Sequence, residues 1–345
     1  MHVRDEIWKR TAALRIHGGR IDMAASLYPI APQPWVDLST GINPICWPVP
    51  PLSSALYQRL PLAADMARMT AAAAAAYGLP ANAAIVPVPG SEIAIRLLPR
   101  IARAKAVGIL APTYGSHAAA WRDGGAEVHE LEALPELRRH DLETLVVVNP
   151  NNPDGRTIAC DDLAAFAQAW TMTGRRLVVD EAFADVRPEA SLLTMPKLPA
   201  GTVVLRSLGK FFGLAGLRVG FVVATEPDAA IWRGLLGDWP VSGPACEIAT
   251  SALRDTAWIA ATRTRLAADR KRLDGVLGRA GLKAIGGTDL FGLFEARDGV
   301  DVLDHFARAA ILVRGFAATP QHYRFGLPAD EAAWRRLEAV CATLK

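Results

Sequence analysis

Cysteine is scarce in this chain: there are four in 345 residues, at positions 46, 160, 246 and 341, and no Cys-x-x-Cys pair. That spacing argues against a zinc site and against a disulfide framework, and leaves reduced, structural thiols. An excess of charge of one sign is missing as well. With 38 basic and 35 acidic side chains the net charge is +3, too near balance to make a case for nucleic acid or an anionic membrane surface. No uninterrupted apolar run reaches membrane-spanning length. The N-terminus carries Arg4, Asp5, Glu6, Lys9 and Arg10 where a secretory signal would carry an apolar core, so a cytoplasmic location is expected. What is present, 51% hydrophobic and 21% charged residues, suits a soluble enzyme with a large core and two unequal domains.

Short apolar runs of strand type recur along the chain. Residues 84–89 lead into Gly90-Ser91-Glu92, residues 106–110 into Pro112-Thr113-Tyr114, and residues 145–148 and 177–179 are further runs. Continuous runs rich in β-branched residues suit a mostly parallel central sheet covered on both faces. In such α/β sheets functional residues gather at the carboxyl ends of the strands. Residues 67–77 and 162–173 have helical composition, with Gly78 and Gly174 as terminators. From Trp232 onward the pattern turns to long helix over 248–282, with short strands near 290–294 and 310–313. The expected organisation is a large domain over 46–231 and a small α/β domain over 232–345, which the segment 1–45 joins.

The chemistry concentrates in Ser207-Leu208-Gly209-Lys210, followed by Arg218. A lysine among small residues can form a Schiff base with a cofactor aldehyde, and Ser207 and Arg218 can both reach one phosphate dianion. A lone Ser-x-x-Lys also occurs in unrelated serine hydrolases. Here two more strand-end sites precede it: Asn149-Pro150-Asn151-Asn152-Pro153-Asp154-Gly155, and Asp180-Glu181-Ala182-Phe183 after Leu177-Val178-Val179. Pyridoxal phosphate acts as an electron sink only while its ring nitrogen stays protonated, which calls for a buried carboxylate, and Asp180 is the candidate. Asn152 can donate its amide to the ring oxygen. Gly90-Ser91-Glu92 can offer backbone amides to a phosphate at a helix N-terminus. No metal site is expected.

Asn152, Asp180, Lys210 and Arg218, in this order, resemble the fold-type I pyridoxal phosphate enzymes of the class I/II aminotransferase family. His17-Gly18-Gly19, Asp37-Leu38-Ser39-Thr40-Gly41-Ile42-Asn43-Pro44 and Asp180-Glu181-Ala182-Phe183 resemble in particular the threonine-phosphate decarboxylase branch, whose nearest relatives are the histidinol-phosphate aminotransferases. The resemblance implies pyridoxal 5′-phosphate as cofactor, a homodimer, and Tyr114 stacked on the cofactor ring, with a core or surface tyrosine as the alternative. It implies Arg324 as the fork for a substrate carboxylate. Arg314, with His17, Gly18 and Asn43, would receive a substrate phosphate, and Asn152 would also face the substrate. The small phosphorylated amino acid so held would be O-phospho-L-threonine, decarboxylated to an aminopropanol phosphate for cobalamin biosynthesis, with serine phosphate or a related compound left open by the sequence. Transamination of histidinol phosphate is the alternative, since both reactions use the same cofactor and lysine.

Two departures matter. Phe183 stands where many transaminases carry a tyrosine that donates to the cofactor, which favours the decarboxylase branch. Leu60, before Pro61, stands where relatives often carry a tyrosine reaching the neighbouring subunit's cofactor phosphate. Either Tyr57 substitutes or that contact is absent. His117, His129, His140, His305 and His322 are expected to be structural, and Glu181 and Asp185 to order their loop.

Overall fold

The computed structural model describes residues 11–139 and 141–344, so the charged residues from Arg4 to Arg10, and His140, lie outside it. The chain divides into two compact units, one of Cys46–Ala260 and one of the described residues up to Ile45 together with those from Ala261 onward. The division falls after Ala260 and not after residue 231, because the intervening helices pack within the larger unit: Glu226–Leu236 lies on two strands of the central sheet, and Gly243–Arg254 on Ala63–Tyr77.

The larger unit is built on seven strands: β1 (Ala83–Val88), β2 (Ala106–Leu110), β3 (Glu127–Leu131), β4 (Thr144–Val148), β5 (Arg176–Asp180), β6 (Thr202–Ser207) and β7 (Gly220–Thr225). Their order is β1-β7-β6-β5-β4-β2-β3. All pairs from β6 to β3 are parallel, and β7 is antiparallel to both its neighbours. Thus β1, β2, β4, β5 and β6 end at one edge of the sheet. The runs Thr144–Val148 and Thr202–Ser207 are buried at every position, as strands covered on both faces must be. The polar edge strand β3, and β6 and β7, lie outside the runs expected from sequence. Helices α1 (Ala63–Tyr77), α2 (Ser91–Ala102), α3 (Gly115–Asp123) and α4 (Cys160–Thr171) follow turns between these strands or precede them. Ile95, Leu98 and Trp121 join Val107, Val146, Val178 and Val222 in one core.

The helical stretch expected over 248–282 is two helices, α5 (Gly243–Arg254) and α6 (Thr256–Arg279). Asp255 separates them. One of its oxygens accepts from Trp258 N at 3.0 Å and the other from Trp47 Nε1 at 3.0 Å, so its carboxylate starts a new helix in the manner of an N-cap.

The smaller unit carries a four-stranded antiparallel sheet of β8 (Lys283–Thr288), β9 (Phe291–Glu295), β10 (Arg314–Gly315) and β11 (His322–Gly326), ordered β10-β11-β9-β8. Val36–Asp37 pairs in parallel with Ile311–Leu312. Gly326 is required where it stands, since a Cβ there would lie 2.4 Å from Thr40 O. Among the described residues no helix is long and apolar enough to cross a membrane.

Candidate active site

At the edge where β1, β4, β5 and β6 end, a cavity of about 140 Å³ opens. Gly90, Ser91, Glu92, Tyr114, Asn152, Asp180, Ser207, Lys210 and Arg218, the full set expected around a cofactor, all line it, together with Phe183. The alternation of side chains along a strand explains the selection. Asp180 and Ser207, the last residues of β5 and β6, face the cavity, while Glu181 and Arg206 beside them turn to the opposite side and meet each other.

Asp180 is 3% exposed. One carboxylate oxygen accepts from Ala182 N at 3.0 Å and the other lies 2.9 Å from Nε2 of His117. His117 sits in α3, wholly buried, with its ring edge-on to Tyr114. His117, expected to be structural, is a buried, hydrogen-bonded histidine whose partner is the cavity carboxylate. A contact 63 positions apart in the chain leaves no local signal in the sequence. With Asp180 as acceptor, the Nε2 proton is the one donated.

Behind the cavity wall, Arg206 donates to Glu181 at 3.0 Å and to Asp185 at 2.8 Å, and its guanidinium lies 4.2 Å from the centre of the Tyr77 ring. Glu181 also accepts from Ser191 Oγ and from Leu192 N at 2.7 Å. Burial works against the Arg206 charge, but Asp185 and Glu181 outweigh it and hold its pKa above the ordinary guanidinium value. Burial pushes the Glu181 carboxyl up, with Arg206 and the hydrogen-bond donors opposing. Glu181 and Asp185 thus do more than order their own loop, because they tie β5 to β6.

Gly90, which precedes α2, has φ +86, and a Cβ there would come within 2.6 Å of Arg218 Nη2. Arg218 itself adopts a left-handed backbone, φ 55, after the turn Ala215–Leu217. Ser207 Oγ, Arg218 and the first amides of the twelve-residue helix α2 form a donor set for a dianion. Lys210 Nζ lies 5.7 Å from the centre of the Phe183 ring. Tyr114 donates its hydroxyl to Glu92 at 3.1 Å, and burial, followed by the charges of Glu92 and Asp180, raises its pKa. Asn151 joins two cavity loops, taking Thr113 Oγ1 at 2.6 Å and donating to Pro112 O at 2.9 Å. That contact places Asn152 beside the Tyr114 turn. An amine, a buried carboxylate for a ring cation, an amide and a phosphate cup are the donor set that pyridoxal phosphate needs.

In the smaller unit, Arg314 and Arg324 stand directly opposite one another on β10 and β11. Like charges directly opposite one another on a sheet are destabilising by themselves. Arg324, 7% exposed, donates to Ser39 O at 2.8 Å, and Arg314 to Ile16 O at 2.6 Å. His17-Gly18-Gly19 is stitched to the same place: a Cβ on Gly18 would meet Ser39 O at 2.4 Å, and Gly19 N donates to Ser39 Oγ at 2.7 Å. The structure thus brings Gly18, Gly19 and Arg324 to Ser39, with Arg314 on Ile16 O, next to His17 in the chain. Asn43, 2% exposed, is held separately by Arg265 of α6 at 2.7 Å. Sequence reading passed over Arg265, since one more arginine in an Ala/Arg-rich helix carries no mark.

Residues 55–317 match the model of the aminotransferase class I and II family. The chain belongs to this family. Its cofactor is pyridoxal 5′-phosphate, and the cavity of the larger unit has the residues to receive it. Among relatives, a threonine-phosphate decarboxylase of Pseudomonas aeruginosa is 42% identical, covering 95% of this chain and 98% of its own. One from Sinorhizobium sp is also 42% identical, covering 96% and 98%. Among solved structures of the class I and II aminotransferase fold, the histidinol-phosphate aminotransferase of Clostridium acetobutylicum superposes with a TM-score of 0.77 at 20% identity, over 90% of this chain and 100% of that one. That likeness is one of fold.

Proposed function

We propose that this chain is a pyridoxal phosphate-dependent carboxy-lyase that converts O-phospho-L-threonine to (R)-1-aminopropan-2-ol O-phosphate and carbon dioxide, a step of cobalamin biosynthesis. The observation that carries this reading is the 42% identity to threonine-phosphate decarboxylases along nearly the entire length of both chains. Phe183 in the cavity lining supports it, since a phenyl ring offers the cofactor no hydrogen bond.

When bound, the cofactor supplies an electron sink for the pair left on the α-carbon as carbon dioxide departs. The chain's own groups do the rest. Asp180, oriented by His117 Nε2–H and Ala182 N, would accept a hydrogen bond from a protonated ring nitrogen. Asn152 donates to the ring oxygen, and Tyr114 covers the ring. Gly90, Ser91, Ser207 and Arg218 grip the cofactor phosphate, with Glu92 fixing Tyr114. Lys210 anchors the cofactor and returns a proton to the α-carbon. Arg324 takes the substrate carboxylate, and Arg314 with His17, Gly18 and Asn43 its phosphate. Which bond at the α-carbon breaks depends on how the carboxylate is held, so transamination of a phosphorylated amine is the competing reaction. The active form is proposed to be a homodimer in the cytoplasm.

The test is direct. Cofactor-loaded protein incubated with O-phospho-L-threonine and no keto acid is expected to release carbon dioxide and the phosphorylated amine over many turnovers. Conversion of the cofactor to its amine form by histidinol phosphate, reversed by 2-oxoglutarate, with no carbon dioxide released, would assign transamination instead.

A further inference from the structure

Between β5 and β6 the backbone ladder ends with the pair Asp180 and Leu205, and Glu181 N donates to Leu205 O at 2.9 Å. Arg206 and Ser207 lie past that pair and are laddered to Phe221 and Gly220 of β7. Asp180 and Ser207 both line the cavity, and side chains span the gap from one strand end to the other. Arg206, 3% exposed, is a fork: Nη1 donates to Glu181 at 3.0 Å and Nη2 to Asp185 at 2.8 Å. Glu181, wholly buried, is anchored in turn by Ser191 Oγ and by Leu192 N at 2.7 Å. The Tyr77 ring, at the end of α1, covers the guanidinium at 4.2 Å. A planar fork shared by two buried carboxylates admits little freedom of geometry.

Resting on the reading above, in which Asp180 meets the ring nitrogen of the cofactor and Ser207 its phosphate, we infer that Arg206 is a positioning residue for the cofactor: through Glu181 it sets the separation between the carboxylate that closes β5 and the hydroxyl that closes β6. Glu181 follows Asp180 in the chain and Arg206 precedes Ser207, so the ion pair joins the two cavity residues across one peptide unit on each side. Arg206, Glu181 and Asp185 do not themselves line the cavity, so their effect is on placement and not on contact. The cofactor is a rigid ring with two handles. Two grips on one rigid ligand reinforce each other only when their separation matches it. Asp180 is also held by Ala182 N and His117, independently of Arg206. Loosening the brace therefore weakens the phosphate grip more than the ring grip.

The experiment compares pyridoxal phosphate with pyridoxal, which has the same ring and aldehyde but no phosphate. The Kd of each is read by titrating the visible band in the parent protein, Arg206→Met, Arg206→Lys, Glu181→Gln, Ser207→Ala and Asp65→Asn, with denaturant unfolding measured alongside. The quantity compared is the ratio of the pyridoxal Kd to the pyridoxal phosphate Kd, in which a loss of overall stability cancels. Arg206→Met is expected to lower that ratio at least about ten-fold, the worth of one charge-assisted contact. Arg206→Lys and Glu181→Gln keep part of the brace should Arg206→Met fold poorly, and are expected to lower the ratio about three-fold or more. Asp65→Asn, which weakens α1 away from the strand ends, is expected to leave it at the parent value. Ratios unchanged in all three brace variants would overturn the inference, as would an equal fall in Asp65→Asn, which would tie the effect to stability alone. Ser207→Ala separates the two layers. An unchanged ratio there would remove Ser207 from the phosphate and take the inference with it, whereas a fall there with none in the brace variants would leave the phosphate assignment standing and discard the brace alone.

Discussion

Lys210 is the residue whose chemistry nothing else in the cavity can replace. Lys210→Ala is expected to abolish the visible absorbance of the cofactor-loaded protein that borohydride bleaches, with retention of fold by circular dichroism; a persisting bleachable band would remove Lys210 from its role. Gly90 is the second test. Its φ of +86 strains any side chain, and a Cβ would press on Arg218 at 2.6 Å, so Gly90→Ala combines a backbone cost of about 1–3 kcal/mol with displacement of a phosphate donor. Cofactor Kd, read by titrating the visible band, is expected to rise at least about ten-fold. Lys210, Asp180, Ser207 and Arg218 were legible in the sequence because strand-end chemistry is local: a residue type, a run of β-branched neighbours and a turn. His117 and Arg265 were not, since their partners stand 63 and 222 positions away.

Two elements carry buried or half-buried ionic devices. The Arg206–Glu181–Asp185 network joins β5 to β6 behind the cavity, and removing one partner strands a buried charge. Arg206→Met is expected to cost about 3–5 kcal/mol in denaturant unfolding. At the start of α1, Asp65 accepts from Arg59 at 2.6 Å, from Leu62 N at 2.9 Å and from Arg68 at 2.7 Å. The Arg59 hydrogen bond, then that of Leu62 N, hold its carboxyl well below the ordinary value of 3.8. A depressed folded pKa gives stability that is present above the unfolded value and lost as pH falls through the folded one. Asp65→Asn is therefore expected to lower stability at neutral pH, with the gap to the parent narrowing below about pH 4. A gap independent of pH would show that the charge is not what matters.

The molecule as a whole leaves several large apolar side chains of the larger unit in the open. Tyr57, Leu60, Leu62 and Trp239 are each more than half exposed, and Pro61, Met66 and Trp239 line one groove. Exposure on that scale suits a surface that another chain covers. Sedimentation equilibrium is expected to give a dimer, and Trp239→Asp with Leu62→Asp to shift it toward monomer; a parent protein that sediments as a monomer would discard the homodimer. The sequence by itself determined the α/β class, the cofactor and the residues along the strand ends, because β-branched runs and the side chains that close them are read within a few positions. It also carried the relationship to the decarboxylase branch. Only the tertiary structure decided that Glu181 and Asp185 grip Arg206, that His117 backs Asp180, and that Arg314 and Arg324 stand side by side. Strand register and helix packing bring such groups together across tens or hundreds of residues, and no local pattern encodes that distance.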